Sequence, residues 1–196
     1  MLTCVARILA QPAHAHWPPV HVNCSSYSIT RSGFADEVLA VLARYQVAAS
    51  RICLELTEGA LVAEPAMAQR TMQQLAEQGM SVVLDDFGAG FSSLSYVHQY
   101  RFNGLKIDKS FILELTSSSR SRAIVRAIVR MAESLGLTVV AEGVEDLATL
   151  QLLREMGATQ AQGYYFAKPA ALQDLDLSAH QGAADSQPRA GALHDL

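Results

Sequence analysis

Two adjacent carboxylates, Asp85 and Asp86, follow the apolar run Val82-Val-Leu84 and precede Gly88-Ala-Gly90. β-Branched residues suit a covered, pleated position, so the run predicts a buried strand. The aspartates then fall at its carboxyl end, where Gly88 and Gly90 allow a sharp bend. Consecutive side chains of a strand point to opposite faces, so both aspartates reach one site only if the strand is ending and twisting away. Like charges this close repel and ask for a cation or a shared proton. Carboxylate oxygen suits a hard divalent ion such as Mg²⁺ or Mn²⁺. Taken alone, the stretch is equally readable as a solvated Asp-Asp turn.

Other polar residues fall at comparable places. Asn23 ends Val20-His-Val-Asn23, and Glu55 lies near the end of Arg51–Leu56 with Glu58 just beyond. Lys106 and Asp108 finish Gly104–Asp108, Glu142 finishes Leu137–Glu142, and Gln162 finishes Ala158–Gly163. In barrel enzymes catalytic groups come from the carboxyl ends of several strands. Carboxylates with an amide oxygen make a cage for hard cations. Two metals roughly 3.5–4 Å apart can clamp the attacking and leaving oxygens of a phosphoryl displacement. Such a site activates water without a nucleophilic Ser or Cys. Lys106 would hold that water or neutralise charge, or else form an ion pair with Asp108 or Asp86. Glu58 is placed to tie down the Gly88–Ser93 loop through backbone N–H groups.

Helices must carry the chain between these strands. Met1–Gln11 has apolar residues at helical spacing, and Gly33–Gln46 lines Phe34, Val38, Leu42 and Tyr45 along one face. Glu64-Pro65 opens a helix that Gly79 ends. A short helix is expected over Ser92–Gln99. Ser117–Arg122 reads as a polar turn into a long helix bearing Ile124, Ile128, Ala132 and Leu135. Asp146 caps a helix carrying Leu147, Leu150, Leu153 and Met156. Pro12–Pro19 is a connector in which His14 and His16 read as solvated and Trp17 as packing. Strand and helix alternate throughout, which argues for a parallel sheet with right-handed crossovers. A doubly-wound nucleotide fold would show a Gly-rich fingerprint after its first strand, and none is present. A (β/α)₈ barrel is the alternative. Residues 1–176 read as one α/β domain and 177–196 as a disordered tail.

Composition narrows the partners. The chain has 196 residues, half of them apolar, and a net charge of −4. That balance offers no reason to expect a nucleic-acid duplex. The three cysteines are widely spaced without a CxxC pair, so a reducing, cytoplasmic setting is expected. No apolar run is long enough for a membrane segment, and no signal peptide is read at the N-terminus.

The motifs resemble those of the EAL domain, the cyclic di-GMP phosphodiesterase family. Val22-Asn-Cys-Ser25 resembles its V-N-x-S, and Glu55-Leu-Thr-Glu58 its E-x-T-E. Asp85-Asp-Phe-Gly-Ala-Gly-Phe-Ser-Ser-Leu94 resembles D-D-F-G-x-G-x-S-S-L, and Leu105-Lys-Ile-Asp-Lys-Ser-Phe111 resembles L-K-I-D-x-S-F. Ala141-Glu-Gly-Val-Glu145 and Gln162-Gly-Tyr164 with Pro169 match the last two motifs, all in the family's order. The resemblance implies a modified (β/α)₈ TIM-type barrel that hydrolyses cyclic di-GMP to pGpG. It implies two Mg²⁺ or Mn²⁺ ions on Asn23, Glu55, Asp85, Asp86 and Glu142, with Lys106 positioning the water. Glu58 would brace the loop after Asp86, and Asp108, Gln162 and Glu145 would serve the substrate or its loops. Family members often act as homodimers.

The sequence departs from the family at one ligand. No Glu-Ala-Leu is present, and Met1 aligns inside the helix before the Asn23 strand. The expectation is therefore a barrel lacking its first strand and adjoining elements, with about six strands and weak or absent hydrolysis. The competing expectation is a catalytically inactive EAL-like module that binds cyclic di-GMP or a protein partner.

Overall fold

The structure is a computed structural model that describes residues 1–61, 64–89, 93–171 and 194–195. It contains two compact units: Met1–Asp85 with Gly90–Asn103, and Asp86–Ala89 with Gly104–Leu196.

In the first unit, helix α1 (Leu2–Leu9) precedes strand β1 (Val20–Asn23), and helices α2 (Ser26–Thr30) and α3 (Phe34–Arg44) lead to strand β2 (Ile52–Thr57). Helix α4 (Pro65–Glu77) leads to strand β3 (Ser81–Phe87), which passes into the second unit after Asp85. Helix α5 (Ser93–Gln99) completes the unit. β1 pairs with β2 in parallel from Val20↔Ile52 to Asn23↔Glu55, and β2 with β3 from Cys53↔Ser81 to Thr57↔Asp85. Parallel neighbours need long crossovers, which α2, α3 and α4 supply. Helix α3 buries Ala35, Val38 and Leu42, and α4 buries Ala68, Met72 and Leu75. Every residue of Ile52–Leu56 is buried, as in a parallel strand covered on both faces.

The second unit runs from strand β4 (Gly104–Ile107) through helices α6 (Lys109–Leu113) and α7 (Ser119–Leu135) to strand β5 (Thr138–Glu142). Helix α8 (Leu147–Met156) and strand β6 (Gln160–Gln162) follow. β4 pairs with β5 and β5 with β6, again in parallel. The two-residue strand β7 (His194–Asp195) lies antiparallel to β6. Helix α7 begins one turn earlier than its apolar spacing suggests, because Ser118 caps it by accepting from the Ser121 N–H at 3.1 Å. Val125, Ile128, Val129 and Ala132 face the core. β4 and β5 approach closely where they begin. A Cβ on Gly104 would meet the Thr138 hydroxyl at 2.1 Å.

Within each unit the strands lie in chain order. Neither shows the reversal that marks the switch point of a doubly-wound sheet. The strands anticipated from sequence all form, with ends shifted by up to three residues, the largest shift being at the Val82–Leu84 strand, which runs on to Phe87. Helices α2 and α6 were not anticipated, being too short for periodicity to reveal. Residues 90–92 of the expected loop and residues 177–193 and 196 of the expected tail lie outside the described residues.

Candidate metal centre

The aspartate pair lies within β3, which continues to Phe87 and does not end before it. Simple alternation would then point the two side chains apart. Asp86 has φ 54°, in the left-handed region, and this breaks the alternation. A non-glycine residue there costs roughly 1–2 kcal/mol, although Asp tolerates it better than most. The consequence is that Asp86 and Glu142, both in the second unit, each offer a carboxylate oxygen within 4.8 Å of the other. Asp85 is buried, Glu142 half-buried and Asp86 exposed.

The bend is held from below. Asp108 N–H donates to Phe87 O at 3.3 Å. Gly88, at φ 98°, brings the backbone so near Phe111 that a Cβ would lie 2.8 Å from the ring. The Asp108 carboxylate caps α6 by accepting from the Ser110 N–H at 2.9 Å, and the Ser110 hydroxyl also donates to it. Asp108 thus fixes the corner beneath Asp86.

Lys106 exposes only 3% of its surface. Its Nζ lies 2.6 Å from Glu142 Oε1, across the β4–β5 pairing. Glu142 was not paired with it in the sequence reading, which considered Asp108 and Asp86. Gln162 is the register partner of Glu142 on β6. The following turn clamps the β5 loop: Val144 N–H donates to Gln162 O at 3.1 Å, and Tyr165 N–H to Val144 O at 2.9 Å. Only glycine fits at position 163, because a Cβ would lie 2.2 Å from Val144 O. Glu145 is exposed in the loop that enters α8.

In the first unit, Asn23 is the register partner of Glu55, and Cys24 N–H donates to Glu55 O at 2.9 Å. Ser25 then caps α2, accepting from the Ser28 N–H at 3.2 Å. Glu55 is buried. His21 Nδ1 lies 2.9 Å from Glu55 Oε1, a contact that sequence reasoning missed. Its signal was spacing: His21 and Asn23 share one face of β1. Glu58 opens the 3₁₀ turn Glu58–Leu61 and is half-buried. Burial pushes the Cys24 thiol up to about 11, so beside Asn23 it stands neutral and unreactive at pH 7.

The convergent carboxylates of Asp86 and Glu142 are hard, anionic oxygen donors, and their mutual repulsion is relieved by a divalent cation. The donor set therefore fits a hard metal cation. No described helix is long and apolar enough to cross a membrane.

A family model for the EAL domain matches residues 1–169. The cyclic di-GMP phosphodiesterase NbdA of Pseudomonas aeruginosa is 40% identical over 157 residues, covering 80% of this chain and 20% of NbdA. The solved MucR phosphodiesterase in complex with c-di-GMP superposes with a TM-score of 0.80 at 34% identity, over 88% of this chain and 70% of that one. Klebsiella pneumoniae BlrP1, solved with manganese and cyclic di-GMP, superposes at 0.78 and 27% identity, over 86% of this chain and 44% of that one. The chain thus spans about a fifth of the curated phosphodiesterase it matches. The match extends through every motif from Asn23 to Gln162, on an α/β fold of the TIM-barrel type, and the chain belongs to the EAL domain family.

Proposed function

We propose that this chain is a cyclic di-GMP phosphodiesterase domain that hydrolyses its substrate to linear pGpG. The observation that carries the reading is the convergence of the Asp86 and Glu142 carboxylates in the second unit, with the buried ammonium of Lys106 on Glu142. NbdA is named for this activity, and MucR and BlrP1 were solved with cyclic di-GMP. Asn23, Glu55, Asp85, Asp86 and Glu142 are the proposed ligands of two Mg²⁺ or Mn²⁺ ions. When bound, such ions supply Lewis-acid stabilisation of phosphoryl charge and lower the pKa of water.

The chain's own residues do the rest. Glu142 orients Lys106, which holds a positive charge where negative charge develops and donates to the attacking water. Asp108 keeps the α6 corner that holds the Asp86 bend, and Glu58 braces the loop beyond it. Gln162, Glu145 and the Tyr164–Pro169 segment shape the substrate side. No Glu-Ala-Leu glutamate stands among the 196 residues, and we propose that turnover by this chain is correspondingly slow. The test is chromatography of cyclic di-GMP incubated with the purified chain in Mn²⁺ or in chelator, with Asp85→Asn as control. pGpG formed only with Mn²⁺, and abolished by Asp85→Asn, supports the reading. Absence of product from folded chain, or product unchanged in Asp85→Asn, sinks it.

A further inference from the structure

We propose that His21 is a positioning residue for the Glu55 carboxylate, setting the strength with which the first unit's ligands hold a divalent cation. The inference rests on the reading of Glu55 as a metal ligand. Its ground is geometric. In register, Asn23 stands opposite Glu55 and His21 opposite Cys53, so His21 lies one pleat below Asn23 on the same face of β1. From there Nδ1 reaches diagonally to Glu55 Oε1 at 2.9 Å. The Glu55 side chain is 8% exposed and that of His21 22%.

An ionised carboxylate only accepts hydrogen bonds, so the hydrogen in this contact sits on Nδ1. The last torsion of a glutamate is broad and roughly two-fold, and one directional donor fixes it. Held at Oε1, the carboxylate has its torsion set on the strand position whose register partner is Asn23. Outer partners of this kind orient metal ligands, and their loss typically weakens metal binding 10- to 100-fold. A buried carboxylate also needs a partner simply to be tolerated, so a purely structural role for His21 must be separated from a positioning one.

The experiment is Mn²⁺ titration of the 196-residue chain, following free Mn²⁺ by electron paramagnetic resonance, with thermal unfolding in chelator alongside. His21→Phe keeps a ring of similar bulk but no donor. His21→Asn returns an N–H close to the Nδ1 position. The expected result is Mn²⁺ affinity about 10-fold or more weaker in His21→Phe, with His21→Asn within about threefold of the parent. In a Glu55→Gln background, His21→Phe causes no further loss. Parent-like affinity in His21→Phe overturns the proposal, as does equal weakening in both variants in step with lowered melting temperatures. If His21→Phe does not fold, His21→Asn with the Glu55→Gln cycle decides the matter by the same criteria. The Asp85→Asn control separates the two levels. Mn²⁺ binding that depends on Asp85 but not on His21 overturns only this proposal, whereas no binding by the parent overturns the metal-centre reading as well.

Discussion

Replacing Lys106 with Met removes a charge while nearly conserving volume, and so isolates the electrostatics of the second unit's strand ends. The Lys106 Nζ lies 2.6 Å from Glu142 Oε1, and Glu142 and Asp86 hold carboxylate oxygens within 4.8 Å of each other. At an effective dielectric of about 20, two like unit charges at that separation repel by about 3.5 kcal/mol. The ammonium offsets this repulsion in the metal-free protein. Breaking a buried pair by removing one partner costs about 3–5 kcal/mol. The Glu142 side chain keeps 19% exposure, which places the expected loss near the bottom of that range, at about 3 kcal/mol. Urea unfolding in chelator measures it, read as a fall in midpoint at unchanged slope. Pairing the substitution with Glu142→Gln should recover most of the loss, because the stranded charge is gone. Millimolar Mn²⁺ should recover part of it in the single variant. A Lys106→Met protein within about 1 kcal/mol of the parent in chelator, or a double variant no more stable than the single, would refute the reasoning.

Three further outcomes follow from local geometry. Asp86→Gly relieves the left-handed backbone at φ 54° and should make the metal-free chain about 1 kcal/mol more stable while abolishing any Mn²⁺-dependent rise in melting temperature. Gly163→Ala places a Cβ 2.2 Å from Val144 O; it should destabilise by about 2 kcal/mol or more and lower substrate turnover with it, measured by calorimetry and product assay. Cys4 is exposed whereas Cys24 and Cys53 are buried, so alkylation at pH 8 should modify one thiol quickly and the others only on unfolding, as mass spectrometry would show.

Much of this arrangement is legible in the chain before any coordinates. The strands announce themselves by β-branched runs bounded by Gly, and within each unit their polar ends align because parallel strands in chain order present one common edge. Asp146 and Gly79 mark helix ends by the chemistry of caps. Other features resist sequence reading for physical reasons. The left-handed turn at Asp86 is a tertiary outcome, fixed by Asp108 N–H and the Phe111 ring from residues distant in sequence. A lone histidine in a strand gives no sign of its partner until register is known, so His21 went unread. The Lys106–Glu142 contact depends on the β4–β5 register, which no local pattern encodes. Helices α2 and α6 are single short turns nucleated by Ser25 and Asp108, two residues first noticed for their place in motifs.

Crystals grown with Mn²⁺ and cyclic di-GMP, with diffraction collected at the manganese edge, would address the metal centre most directly. Two anomalous peaks bounded by Asp85, Asp86 and Glu142, with Asn23 and Glu55 among their ligands and a substrate phosphate against them, is the predicted result. Manganese bound elsewhere on the chain, or no peak at these carboxylates in a crystal that holds the nucleotide, would contradict it.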